Sequence, residues 1–123
     1  MTPRSWIIMG SLHMALAVIL GAFAAHALKS MLDEYSTDIY KTGNFYHFIH
    51  ALALIMVGVL QQQFDLDLTI SGFSFFIGMV IFSGSLYSIA LTGVKGLGAI
   101  TPIGGILFII GWAYMAIQFF KSS

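Results

Sequence analysis

Lys29-Ser30-Met31-Leu32-Asp33-Glu34-Tyr35-Ser36-Thr37-Asp38-Ile39-Tyr40-Lys41 carries five charged residues, and the runs on both sides of it carry none. To its left, Ser5 to Leu28 is free of Asp, Glu, Lys and Arg. To its right, so is Thr42 to Phe64. Past Asp65 and Asp67 a third such run goes from Leu68 to Thr92, and past Lys95 a fourth goes from Gly96 to Phe120. Each exceeds the ~20 residues that cross a bilayer core as helix. A charged side chain at mid-bilayer would cost ~2.5–3.5 kcal/mol on insertion scales, which explains why the charges stay in the gaps. Lipid offers no partners to open backbone groups, so helices are the economical form of these runs.

Composition agrees. Hydrophobic residues make up 59% of the 123 positions and charged residues 8%. That leaves too few polar residues to give four helices a solvated outer face. The expected fold is all-α: a four-transmembrane-helix, up-down bundle in one integral membrane domain spanning 1–123. Its helices are expected at about 5–28, 42–64, 68–92 and 97–120. Net charge is zero, so no nucleic-acid partner is expected. The absence of cysteine removes disulfides, thiolate metal sites and thiol nucleophiles. The first run also has the outline of a signal peptide, with Arg4 and an Ala25-His26-Ala27 site. It is longer than the usual ~7–15 residue core of one, and a span is the better reading.

The connections are short. Between Lys29 and Lys41, Leu32, Tyr35 and Ile39 share a helical face, which fits either a short helix lying in the membrane interface or an ordinary connecting turn. Lysine and arginine counts on the two membrane sides nearly tie, so they choose no orientation. Thr101-Pro102 has the form of an N-cap followed by proline at the first helical position, which would start the fourth helix at Pro102. The competing reading is a continuous helix kinked at Pro102.

At ~1.5 Å per residue, position along a span converts to depth. His26 lies near the surface where the first helix ends. His47 and His50 lie about 5 and 9 Å inside the same surface, counted from Asn44. Ser83, Ser85, Tyr87 and Ser88 occupy the last turns of the third helix, and Thr101 the first turns of the fourth. His26, His47, His50, Ser83, Ser85 and Thr101 therefore form the candidate polar membrane site. Such residues usually face the bundle interior. Interhelical hydrogen bonding explains them as well as a ligand site does, at ~0.6 kcal/mol per pair. His13, near mid-bilayer, is expected to stand apart as a neutral core residue. Ala17, Gly21 and Ala25, and separately Gly104 and Gly111, sit at spacings that suit close helix approach.

Four segments together carry a resemblance: Gly21-Ala22-Phe23-Ala24-Ala25-His26-Ala27-Leu28, Tyr40-Lys41-Thr42-Gly43-Asn44-Phe45-Tyr46-His47-Phe48-Ile49-His50-Ala51-Leu52, Phe82-Ser83-Gly84-Ser85-Leu86-Tyr87, and Leu97-Gly98-Ala99-Ile100-Thr101-Pro102-Ile103-Gly104-Gly105. In these the chain resembles the YgdD family, small multi-pass membrane proteins of unknown function with eukaryotic transmembrane relatives. The resemblance implies a multi-pass protein of the bacterial inner membrane. It brings no catalytic residue.

The expected function is therefore a non-enzymatic structural or accessory membrane protein, without cofactor or metal. Its partners would be the lipid bilayer and a second copy or a membrane complex. The alternatives are a redox subunit holding haem or quinone, with His26 and His47 or His50 as axial ligands, and a small transporter that moves protons through histidine. Against haem, no basic residue inside the helices awaits the propionates. Against the transporter, no run contains the carboxylate that exporters of cationic drugs use. A metal would have to draw on His26, His47 and His50 alone.

Overall fold

The first helix opens where side-chain chemistry says it should. Thr2 Oγ1 accepts the Ser5 N–H at 3.1 Å and proline follows at once, so an N-cap and a preset φ start the element. In the computed structural model, which describes residues 1–122, α1 is Pro3–His26, α2 Glu34–Phe64, α3 Thr69–Thr92 and α4 Thr101–Ser122. A short 3-10 turn, Lys95–Ala99, precedes α4. α2 ends at Asp65 in the left-handed region (φ 52°) and α3 at Gly93 (φ 75°), whose N–H bonds to the Ile89 carbonyl. All four helices are long and apolar enough to cross a membrane.

α2 starts at Glu34, about two turns earlier than the end of the charged segment suggested. Asp33 is the reason: its carboxylate accepts the Ser36 N–H at 2.7 Å and caps the helix. The connection is thus a tight turn followed by α2 itself, and no separate interfacial helix forms. Ile39 and Leu32 pack with Leu28, Tyr40, Ala90 and Tyr87 against the end of α3, while Tyr35 lies under the Lys95 ammonium at 4.9 Å. At 31 residues α2 is about 46 Å long, against about 30 Å of hydrocarbon, so its first turns stand in the headgroup region.

The Ser36 N–H holds the Asp33 carboxyl below the usual carboxylate range. A depressed folded pKa stabilises above the unfolded value, and that contribution is lost as pH falls through the folded one. The amide resonance of Ser36 is therefore expected to titrate below the ordinary Asp range. In Asp33→Asn, which still caps but carries no charge, that titration should vanish.

α2 and α3 form the centre. They carry nine and ten buried residues, against three each on α1 and α4, which flank the central pair at opposite corners. Ile8, Leu12, Ile19 and Phe23 on α1, and Ile103, Ile106, Ile109 and Ile117 on α4, face outward as expected of lipid-contacting surface. Glycine sets the close approaches. A Cβ on Gly10 would stand 2.7 Å from the Ala51 carbonyl oxygen, and one on Gly104 2.7 Å from that of Gly78. Trp6 lies fully buried over Gly72, edge-on to Phe73. Gly84 differs, since nothing lies within 4 Å of its Cβ position. Gly84→Ala is expected to stabilise by about 0.5–1 kcal/mol through helix preference alone, read as a raised melting temperature in detergent.

Candidate functional site

The polar residues of the spans do not gather in one place. They form an extended hydrogen-bonded chain across α1, α2 and α3, and several pairwise links elsewhere. The chain begins at Asn44, whose amide nitrogen donates to the Ala17 carbonyl and to the Tyr87 hydroxyl, both at 3.0 Å. Tyr87 Oη lies 3.0 Å from His47 Nδ1, and His47 Nε2 lies 3.1 Å from His13 Nδ1. Beside it, the Tyr40 hydroxyl donates to the Leu20 carbonyl at 2.6 Å.

The direction of this chain follows from its first donor. Tyr87 accepts from Asn44, so its own proton goes to His47 Nδ1. His47 then carries hydrogen on Nε2 and donates it to His13 Nδ1, and His13 carries hydrogen on Nε2. Nitrogen-15 NMR of histidine-labelled protein is expected to show both rings as Nε2–H tautomers. An Nδ1–H signal from His47 would contradict that order.

His50 faces the other way. Its Nδ1 donates to the Tyr46 carbonyl at 2.8 Å and its Nε2 accepts the Trp112 indole N–H at 3.1 Å. Its ring stacks on Phe108 at 3.5 Å. It clamps α2 to α4 with both nitrogens used. Ser83 donates to the Gly43 carbonyl at 2.7 Å, tying α3 to α2. Ser85 donates to the Phe82 carbonyl and so accepts the Thr101 hydroxyl, tying α3 to α4.

Thr101 is accordingly not a cap. It is the first residue of α4, its hydroxyl turned across to Ser85, and Pro102 is the second. His26, the last residue of α1, is exposed, and its side chain makes no hydrogen bond among the described residues. His26 lies in neither neighbourhood of the other two: His50 lines a groove with Phe82 and Pro102, and Thr101 bonds Ser85.

His13, expected to stand apart, ends the chain instead. The reason is the start of α2. His13 is thirteen residues from His26 (26 − 13), and His47 is thirteen from Glu34 (47 − 34), so both lie at one level of the α1–α2 hairpin. Counting from Asn44 placed His47 too shallow. Tyr87 was placed by depth but left out of the candidate site, Trp112 was not singled out, and no spacing signal identified the partners of either.

One cavity of about 330 Å³ opens beside the hairpin turn. Its inner end is formed by Gly21 and Asn44, its walls by Ala24, Ala25, Leu28, Leu32 and Tyr40, and its mouth by Lys29, Thr37 and Lys41. A shallower groove between α1 and α3 is lined by His13, Tyr87 and the buried His47. Among the described residues no group of three or more His, Cys, Asp or Glu could hold a metal ion.

Residues 20–105 match the family model described as "Protein of unknown function (DUF423)". A UPF0382 membrane protein of Staphylococcus aureus strain RF122 is 41% identical over 118 residues, covering 96% of this chain and 97% of its own. One from Staphylococcus epidermidis is 43% identical with the same coverage. The UPF0382 membrane protein YwdK of Bacillus subtilis is 41% identical over 120 residues, covering 96% and 98%. No solved structure matches the chain.

Proposed function

The chain belongs to the DUF423 family of unknown function, and for it we propose a non-enzymatic accessory role, as a helical unit that packs in the membrane with a second copy or a larger complex. It is an integral, multi-pass membrane protein, and the bacterial origin of its relatives fits the inner (cytoplasmic) membrane. The observation that carries the accessory reading is where the interior polar groups are spent. His47 and His50 each use both ring nitrogens on other groups of the chain, and Ser71, Ser83 and Ser85 hold neighbouring helices. Groups so used tie a bundle together. A nucleophile and base aimed at a substrate are what a catalytic site would require. The outward faces of α1 and α4 are the surfaces such a partner would meet.

The Asn44–Tyr87–His47–His13 chain gives the proton-transporter reading its one supporting feature. Crossing the membrane would require the chain to continue beyond His13 toward Thr2. On α1 the only polar side chain between His13 and Ser5, apart from the buried Trp6 indole, is the outward-facing Ser11. That favours the accessory role. Native mass spectrometry of the chain released from its own membrane tests it. Association with a second copy or a partner protein is expected. A haem or quinone mass, with absorbance to match, would overturn it.

A further inference from the structure

We propose that the cavity at the α1–α2 hairpin seats the phosphodiester head of an anionic phospholipid. This goes beyond the accessory role and does not depend on it. The charges lining the cavity are Lys29 and Lys41, with no acid among the lining residues, although Asp33, Glu34 and Asp38 belong to the same connection. Two ammonium groups at a mouth otherwise walled by alanine and leucine complement an anion whose neighbouring atoms are apolar. A freely soluble anion would gain nothing from those walls, whereas a lipid uses both.

Position supports the same occupant. α2 exceeds the hydrocarbon thickness, and the excess turns carry Thr37 and Lys41. Asn44, at the inner end, is one further turn into the membrane. The cavity therefore spans the boundary between headgroups and chains. Its 330 Å³ suits a phosphodiester with its first carbons, not two acyl chains. The chains would continue along α1 below Ala25, where Val18, two turns further into the membrane on the same face, presents exposed apolar surface. Thr37 Oγ1, which takes no hydrogen bond within the described residues, adds a donor at the mouth.

The test uses the full chain in uncharged detergent, titrated with phosphatidylglycerol or phosphatidylcholine and read by native mass spectrometry. Each lysine near an anionic lipid contributes about fivefold. Phosphatidylglycerol should be retained at least fivefold better than phosphatidylcholine. Lys29→Gln with Lys41→Gln should erase that preference, while Lys95→Gln, near the same surface but outside the cavity, should change it less than twofold. Ala25→Trp, which fills the cavity and leaves both charges, should reduce retention of both lipids. Equal retention of the two lipids by the unmodified chain would overturn the proposal. So would a Lys95→Gln effect as large as that of the pair, or displacement by millimolar inorganic phosphate, which would assign the site to a free anion.

Discussion

Gly104→Leu is expected to destabilise this protein strongly, by about 3 kcal/mol, with α3 and α4 forced apart. The new Cβ would lie 2.6 Å from the Phe82 backbone nitrogen and 2.7 Å from the Gly78 carbonyl oxygen. These are backbone atoms of a neighbouring helix, so no rotamer change makes room. The separation would also pull Thr101 from Ser85 and Trp112 from His50, since both links cross to α4. Gly105 supplies the control one residue along, because its Cβ would meet only the Phe82 ring at an ordinary 3.8 Å. Thermal unfolding in detergent should separate the two sharply, with Gly105→Ala near the parent. Equal melting shifts for Gly104→Leu and Gly105→Ala would show that the α3–α4 approach is not what glycine provides there.

His47→Leu is the second large effect, expected at about 2–4 kcal/mol. It removes two hydrogen bonds and leaves the His13 ring and the Tyr87 hydroxyl with one partner fewer in a medium that offers few replacements. His13→Leu should cost less, because it ends the chain and is half exposed. The double change should cost less than the sum of the singles, by a coupling of about 0.6 kcal/mol and at most about 1.7. A denaturant series on the four proteins of that cycle measures it. A coupling of zero would mean that the two rings stand close without holding each other.

The contrast between His13 and His26 shows how far the sequence could be read. Both lie on α1, and depth alone assigned His26 to the polar site and His13 to isolation. Depth depends on where a helix is taken to begin. The charged segment hid the start of α2, because charges in the first turns of a helix that projects from the membrane look like a loop. Once Asp33 caps the helix, His13 and His47 fall level and His26 is left at the exposed end. Ser85 and Thr101, expected at one depth, do meet. The role expected of Thr101 as a cap was lost because α4 already includes Thr101 as its first residue, with its hydroxyl directed across to Ser85.

By itself, the sequence determined that this chain crosses a membrane four times, where each crossing lies to within a few turns, and which residue types are buried in it. Those conclusions follow from the transfer cost of charge and of open backbone, which depends on composition along the chain and not on neighbours. Only the tertiary structure decided which polar groups meet. A helix can rotate about its axis at little cost in lipid, so facing is set by glycine contacts such as Gly10 with Ala51 and Gly78 with Gly104, and by interhelical bonds. The one site suspected from depth thus became a His13–His47–Tyr87–Asn44 chain, a His50–Trp112 clamp and a cationic cavity beneath the hairpin turn.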